Sequence, residues 1–275
     1  MVPRCYLDLR FARVETETAV ISGRKSYVIV IANGDVFENI HFEDQSVFNK
    51  WLQELTRYCI FGQIEKYFVG VRGGNFGEGA YGEVFLAKNI KDEDDLVVVK
   101  TYKKEHTQIQ KGQKKPKKNN AGEMILDEIK ILRKLEHPNI LKLRMVFEEP
   151  GVKTLVTDYY EGGDLFKHMC SNNHILSWRE ALEYTKGVLT GLAYLEKYGI
   201  VHRDIKLGNV ARRYNDNSHN VVILDFGFAV RIKDCKTIPK KYGTVGFYAP
   251  EVLSGQEMFD CRADVYSTGI LLFTM

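Results

Sequence analysis

Three stretches of this 275-residue chain carry residue types suited to holding and moving a phosphate. The first is Gly77-Glu78-Gly79-Ala80-Tyr81-Gly82-Glu83-Val84, which follows the pattern G-x-G-x-x-G-x-V used by two kinds of phosphate-binding loop. What comes next separates the two. In a dinucleotide fold the last glycine opens a helix, whereas here Val84-Phe85-Leu86-Ala87 is a β-favouring run leading to another, Leu96-Val97-Val98-Val99-Lys100. The glycines are therefore expected in a hairpin between strands. With no Cβ at Gly77, Gly79 and Gly82, backbone N–H groups there can approach phosphate oxygens closely. The second stretch supplies charge. Lys100 closes an apolar strand, where a lysine is costly to bury unless a counter-charge and an anionic ligand hold it. Glu128, in a helical stretch with Ile125, Ile129, Leu132 and Leu135 on one face, is the candidate partner.

The third stretch is Val201-His202-Arg203-Asp204-Ile205-Lys206-Leu207-Gly208-Asn209, followed by Asp225-Phe226-Gly227. Gly243-Thr244 then precede Tyr248-Ala249-Pro250-Glu251, and a segment beginning at Asp264 closes the series. In order and spacing these motifs resemble the catalytic domain of eukaryotic-type protein kinases from about Tyr67 onward. The resemblance implies an α+β, two-lobed fold, with a β-rich small lobe over 67–158 and a mainly helical large lobe over 159–275. It also implies ATP and Mg²⁺, with Asn209 and Asp225 as the metal ligands. Phosphoryl transfer needs positioning and charge neutralisation more than covalent help. Lys100, oriented by Glu128, would meet the α- and β-phosphates. Asp204 would accept the hydroxyl proton and align the nucleophile, while Lys206 would stabilise the γ-phosphoryl group.

The same resemblance assigns the nucleotide pocket. Phe76, Gly77, Glu78, Gly79, Ala80, Tyr81, Gly82 and Val84 would cover the phosphates and Val98 would form the roof over adenine. Ala211 would form its floor, Thr157 would stand at the gatekeeper position, the backbone of Asp158 and Tyr160 would meet the adenine edge, and Asp164 would meet the ribose. Kinases usually place alanine in the roof and leucine in the floor, so Val98 and Ala211 exchange bulk between the two faces. The internal stack of Leu132, Leu143, His202 and Phe226 with Asp264 is complete. A lysine two residues after the aspartate, and Gly-Thr ahead of Ala-Pro-Glu, resemble Ser/Thr kinases, so protein substrates with Ser or Thr are the implied partners. EHPNIL, TLVTDYYEGGDLF and GLAYLEKYGIVHRDIK most resemble the calcium/calmodulin-dependent kinase group. No EF-hand pattern or calmodulin-target helix is visible, so calcium control does not follow. Arg203 resembles the arginine that pairs with a phosphate on the activation segment. The usual acceptor position is Lys240, leaving Thr237 and Tyr242 as acceptors or Lys240 and Lys241 as fixed charge, while Thr244 is expected to brace Asp204.

Elements must hold these groups in place. The pattern predicts strands over 68–102, a helix over about 121–135 ended by His137-Pro138-Asn139, strands over 140–158, a helix over 177–198 and a last apolar segment, DVYSTGILLFTM. Residues 1–60 read as strands (CYLDLRF, SYVIVIA), a hairpin at Asn33-Gly34-Asp35 and a helix in FEDQSVFNKWLQELTRYCI. Val47, Trp51, Leu55 and Tyr58, with Phe48 and Leu52 alongside, give that helix its apolar face, and Glu43 and Asp44 suit its start. The segment resembles the final strands and C-terminal helix of a pleckstrin-homology domain, with Trp51 where that helix carries tryptophan and expected to pack the helix on its sheet. A linker would follow at 61–66. The lipid-binding loop of such domains falls outside the resemblance, so a phosphoinositide or anionic membrane is retained only as a partner to be tested.

Composition narrows the classes further. Hydrophobic residues make up 44% and charged residues 27%, which excludes disordered and fibrous proteins. No apolar run is long enough to cross a bilayer as a helix. The five cysteines, Cys5, Cys59, Cys170, Cys235 and Cys261, are odd in number and form no CxxC pair, so neither a disulfide framework nor a zinc site is expected. The net charge of +3 comes from the lysine-rich run over 103–118 rather than from a broad basic face, and no nucleic-acid partner is expected. The expected location is the cytoplasm, with membrane recruitment through residues 1–60 as an added option. Met275 falls inside the helix begun near Asp264, so the family's last helices and the partner of Glu251 are expected to be missing, exposing Ile270, Leu271, Leu272 and Phe273. The alternative to an active kinase is therefore an inactive fragment acting as a nucleotide-binding scaffold or a membrane-recruited adaptor.

Overall fold

The computed structural model describes residues 9, 11–21, 23–34, 36–79, 82–103, 121–171, 176–216, 218–234, 243–254 and 260–275. The chain divides into two compact units, one from Met1–Ala121 with Leu143–Tyr159 and the other from Gly122–Lys142 with Tyr160–Met275.

The first unit is built on one mixed sheet. Its strands are β1 (Arg13–Ile21), β2 (Arg24–Asn33), β3 (Val36–Phe42), β4 (Ile60–Phe61), β5 (Phe68–Gly79), β6 (Gly82–Asn89), β7 (Asp92–Lys103), β8 (Leu143–Glu149) and β9 (Val152–Asp158), in the order β3-β2-β1-β4-β8-β9-β7-β6-β5. The expected hairpin forms, with Asn33 opposite Val36 and Gly34 at φ 61°. The first described strand is one that the sequence pattern does not suggest. CYLDLRF falls mostly outside the described residues, and the strand that forms is Arg13–Ile21, paired antiparallel with β2 from Arg13↔Ala32 to Ile21↔Arg24. Its glutamates and threonines hide the pattern: Val14 is buried while Glu15, Glu17 and Thr18 face solvent, and threonine suits a pleated strand much as valine does.

Helix α1 (Gln45–Leu55) starts where the acidic residues suggest. The Asp44 carboxylate accepts from the backbone N–H groups of Ser46 and Val47 at 2.6 and 3.3 Å, and the Ser46 side chain together with these bonds holds it below the usual carboxylate range. The buried face is a correction. Phe48 and Leu55 are buried with Leu52 partly so, whereas Val47, Trp51 and Tyr58 are about half exposed. Rows 48-52-55 and 47-51-55 both satisfy helical spacing, and the helix ends before Tyr58. Trp51 leans over the rim, its ring 6.0 Å from that of Phe42.

No gap separates this meander from the strands that follow. β4 pairs in parallel with β1 at Arg13↔Ile60 and with β8 at Phe61↔Phe147. The stretch expected to be a linker thus holds a strand residue and a 3-10 turn, Ile64–Lys66. One hydrophobic core runs from Val14, Ile29 and Phe48 through Phe61 to Val97, Val99 and Phe147. Tyr67 hydrogen-bonds Thr16 on β1, and burial raises its hydroxyl pKa.

The second unit is mainly helical. It contains α2 (Ala121–Leu132), α3 (Leu165–Ser171), α4 (Trp178–Lys197), α5 (Pro250–Leu253) and α6 (Arg262–Thr274). Two small ribbons complete it, β10 (Ile200–Val201) with β13 (Val230–Arg231) and β11 (Val210–Arg212) with β12 (Val221–Ile223). Helix α4 opens with a capping box, Ser177 accepting from Glu180 N–H and Glu180 returning to the Ser177 N–H, and it packs on α6 and β12. Residues 122–142 group here rather than with the small lobe in which they were expected, because Leu141 N–H bonds Ile223 O and Ile223 N–H bonds Asn139 O. Helix α2 ends at Leu132, with Ile125, Ile129, Leu132 and Leu135 buried as the periodicity predicts. On α6, Leu271 is fully buried against expectation, while Phe273 is 88% exposed. Among the described residues no helix is long and apolar enough to cross a membrane.

Phe61 is 1% exposed and its ring lies 5.8 Å from Tyr67 and 6.1 Å from Phe147. Phe61→Ala should cost about 3–5 kcal/mol in urea unfolding, with the N-terminal strands and the sheet of β5–β9 melting in one transition. Two separate transitions would show that the shared core does not couple them.

Candidate active site

The sheet unit carries one set of the expected residues. In the β5–β6 hairpin Gly77 faces Val84, Glu78 faces Glu83 and Gly79 faces Gly82, with Ala80 and Tyr81 outside the described residues. At Gly82, φ is +158° and an added Cβ would lie 1.7 Å from Thr101 O, so the hairpin lies on β7 only with glycine there. The register then gathers the expected residues. Val84 pairs with Lys100, Lys100 with Leu155, and Val98 with both Leu86 and Thr157, so three adjacent strands bring Val84, Val98, Lys100 and Thr157 together. Lys100 Nζ lies 5.2 Å from the Tyr102 ring centre. Asp158 ends β9 opposite Val97, and Phe76 stacks on Tyr159 at 6.3 Å and 27°.

The helical unit carries the second set. Asp264 is 2% exposed, and its carboxylate accepts the backbone N–H groups of His202 (2.6 Å) and Arg203 (2.8 Å). Burial pushes this carboxyl up, and His202, those two donors and Arg203 pull the other way. Held at that point, the chain turns through a positive φ at Arg203 (70°) and presents Asp204. His202 Nε2 donates to Leu224 O at 2.8 Å and Nδ1 accepts from Asp204 N–H at 3.3 Å, while its ring packs edge-on to Phe226 at 4.9 Å.

Asp204 is 3% exposed, yet both its carboxylate oxygens are engaged. Oδ1 accepts from the Thr244 hydroxyl at 2.7 Å, and Oδ2 accepts from Asn209 Nδ2 at 2.7 Å and lies 2.9 Å from Lys206 Nζ. Lys206 Nζ also donates to Thr244 Oγ1 at 2.7 Å. Thr244 therefore braces Asp204 as the sequence predicts. Gly243 permits this approach: its φ is +119°, and a Cβ would fall 2.3 Å from Arg203 O. Tyr248 closes the loop by donating from its hydroxyl to Gly243 O at 2.9 Å.

Asn209 uses its amide N–H₂ on Asp204 O and Oδ2, which leaves the amide oxygen as its remaining side-chain acceptor. Leu224 N–H bonds Asn209 O at 2.8 Å, so Asp225 follows directly after a residue tied to Asn209. Asp225 itself sits at φ 53° and accepts from Gly227 N–H at 3.3 Å. Two hard oxygen donors in adjacent turns suit a divalent cation. Asp164 bridges to Ala211 through the backbone, and its carboxylate also caps α3 by accepting from Lys167 N–H at 2.8 Å. Tyr160 is buried with the Arg213 guanidinium 5.4 Å from its ring centre. Glu128 is 3% exposed on α2. Arg203 Nε donates to Phe228 O at 2.7 Å, and Thr237, Lys240, Lys241 and Tyr242 lie outside the described residues. Cys59, Cys170 and Cys261 are free thiols, and burial beside Asp264 pushes the Cys261 thiol up to about 11.

Comparison with known proteins agrees with this geometry. Residues 71–275 match the family described as the protein kinase domain. The chain is 32% identical over 200 residues to calcium-dependent protein kinase 4 of Plasmodium berghei, covering 72% of this chain and 35% of that protein. It is 31% identical over 199 residues to calcium/calmodulin-dependent protein kinase type 1 of Caenorhabditis briggsae, covering 72% and 52%. It is also 31% identical over 209 residues to CBL-interacting protein kinase 31 of rice, Oryza sativa subsp. japonica, covering 74% and 43%. The chain belongs to the protein kinase family, and its α+β, two-lobed architecture is that family's fold. It spans from about a third to a half of the length of these relatives. Residues 1–70 lie outside the family match.

Two features of the helical unit have no motif in the sequence. Arg212, 9% exposed on β11, places Nη1 3.1 Å from His168 Nδ1 on α3, and His168 Nε2 lies 3.4 Å from the Tyr184 hydroxyl on α4. The guanidinium can donate to Nδ1 only while His168 is neutral. Burial, then the Arg212 charge, holds the His168 pKa below its usual 6.5, with Glu180 opposing and His219 adding to the depression. The unfolded chain therefore takes up a proton more readily than the folded one, and stability complete above pH 6.5 falls as the pH drops below it. Urea midpoints should fall between about pH 7 and pH 5 more steeply for the wild type than for His168→Gln, which cannot titrate there. Parallel pH profiles would contradict this.

Proposed function

We propose that the chain transfers the γ-phosphoryl group of Mg·ATP to Ser and Thr hydroxyls of protein substrates. The observation that carries this is the Asp204 carboxylate, 3% exposed and fixed by Thr244, Asn209 and Lys206. A carboxylate so held keeps one orientation toward an incoming hydroxyl, orders the nucleophile and accepts its proton. Lys206, shared between Asp204 and Thr244, would neutralise charge on the transferring group. Thr244 and Lys206 are also the pair that marks the Ser/Thr class, and here they are bonded to one another.

Asn209 and Asp225 would hold Mg²⁺. Among the described residues no cluster of three or more His, Cys, Asp or Glu could hold a metal alone. Two protein oxygens completed by phosphate and water are the habit of Mg²⁺, which keeps much of its hydration. When bound, the ion supplies neutralisation of phosphate charge. On the sheet unit, Lys100 would take the α- and β-phosphates under the backbone of Gly77, Gly79 and Gly82. Val84, Val98 and Thr157 on the sheet would meet adenine, with the backbone of Asp158 at its edge. On the helical unit the family resemblance assigns Ala211 to the adenine floor, the Tyr160 backbone to its edge and Asp164 to the ribose. Membrane recruitment through residues 1–60 forms no part of the proposal, since the family match begins at residue 71.

Labelled γ-phosphate from Mg·ATP should be incorporated into a generic Ser/Thr substrate by the chain. Asp204→Asn should lower that rate by at least about 10²-fold with little change in nucleotide affinity. A folded wild-type chain that binds Mg·ATP but transfers nothing would favour a nucleotide-binding scaffold instead.

A further inference from the structure

A ladder of polar side chains crosses four neighbouring strands of the sheet unit. Asn89 on β6 donates from Nδ2 to Asp95 Oδ2 on β7 at 3.0 Å. Arg144 on β8 makes a forked contact with the same carboxylate, Nη1 to Oδ1 at 2.8 Å and Nη2 to Oδ2 at 3.1 Å. The Arg144 Nη1 also lies 3.5 Å from Asp158 Oδ1 at the end of β9. In the sheet these strands run β8-β9-β7-β6, so the guanidinium reaches across the strand that leads into Tyr159. The three charged side chains are 33%, 20% and 26% exposed, well short of a free surface pair.

The backbone is adapted to this contact. Leu143 pairs with Thr157 and Met145 with Val156, so Arg144 is the extra residue of a β-bulge. A bulge turns one side chain out of the regular alternation, and this one turns a guanidinium toward two carboxylates. Planar forked binding to Asp95 fixes the orientation of Arg144, which lysine would not do. Burial raises the Asp95 pKa, but hydrogen bonds from Arg144 and Asn89, with the Arg144 charge, outweigh it and keep the group ionised.

We propose that Arg144 is a positioning residue for the nucleotide base: anchored on Asp95, it holds Asp158 so that the backbone carrying the adenine contacts stays in register with β7. The inference rests on reading Asp158 as an adenine-edge residue. Its consequence is selective. A base with the donor and acceptor pattern of adenine gains from the fixed edge, whereas guanine presents the reverse pattern at the same position and gains little. Loosening the edge should therefore erode preference among purines rather than weaken all nucleotides alike.

The test uses the full chain and calorimetric dissociation constants for Mg·ATP and Mg·GTP in the wild type, Arg144→Met, Arg144→Lys and Asp158→Asn. Arg144→Met keeps the apolar stem without the charge, and Asp158→Asn keeps the shape if the arginine variant fails to fold. Each should lower the ATP-over-GTP preference roughly tenfold, mainly through ATP, with Arg144→Lys intermediate and the Arg144→Met/Asp158→Asn double variant no worse than either single change. Equal weakening of both nucleotides, or unchanged ATP binding, would overturn the positioning role while leaving the nucleotide site intact. A wild-type chain that binds neither nucleotide would overturn the underlying site, and the inference with it.

Discussion

The carboxylate of Asp264 lies at the N-terminal end of α6 and accepts two consecutive backbone N–H groups, those of His202 and Arg203. Both donors belong to a loop that must turn through a positive φ at Arg203, a backbone state that no β-branched or bulky side chain favours. Without the buried acceptor, two N–H groups would be left unpaired in an apolar interior, at a cost of about 1–3 kcal/mol each. The turn delivers Asp204, and the remaining contacts follow from that position. Asn209 closes the loop from the far side, Thr244 reaches in from the segment after Gly243, and Lys206 bonds both Thr244 and Asp204. A charged group this buried is tolerable only because each of its oxygens is matched.

The sheet unit solves a different problem. It has to present Val84, Val98, Lys100 and Thr157 on neighbouring strands, and antiparallel register does this. The strands of the N-terminal segment extend that same sheet through β4, and their apolar residues share its core. The meander of β1–β3 carries α1 on one face. Joined to β8, it becomes the outer part of a larger core.

The loop motifs were legible because they are local: histidine, aspartate, asparagine and the later Asp-Phe-Gly announce a geometry that the backbone bonds then fulfil. Helix α2 was legible for a similar reason, its buried residues recurring at helical spacing. Helix α1 shows where periodicity stops being decisive, since two overlapping rows fit 3.6 residues per turn and only the packing of Phe48 and Leu55 selects one. Strand β1 escaped because glutamates and threonines interrupt its apolar alternation. The boundary expected at 61–66 failed because a two-residue strand, Ile60–Phe61, leaves almost no pattern yet joins two parts of a sheet. The contacts of Arg144 with Asp95, and of Arg212 with His168, join residues 49 and 44 positions apart and had no local signal at all.

Asp264 holds the loop that carries Asp204 from beneath. Residue-resolved hydrogen exchange on the wild type and Asp264→Ala tests that directly, with the amides of α4 as an internal measure of whether the unit remains folded. The amides of His202 and Arg203 should exchange among the slowest in the wild type and become fast in the variant, while the core amides of α4 keep their protection. Unchanged protection at both loop amides would contradict it.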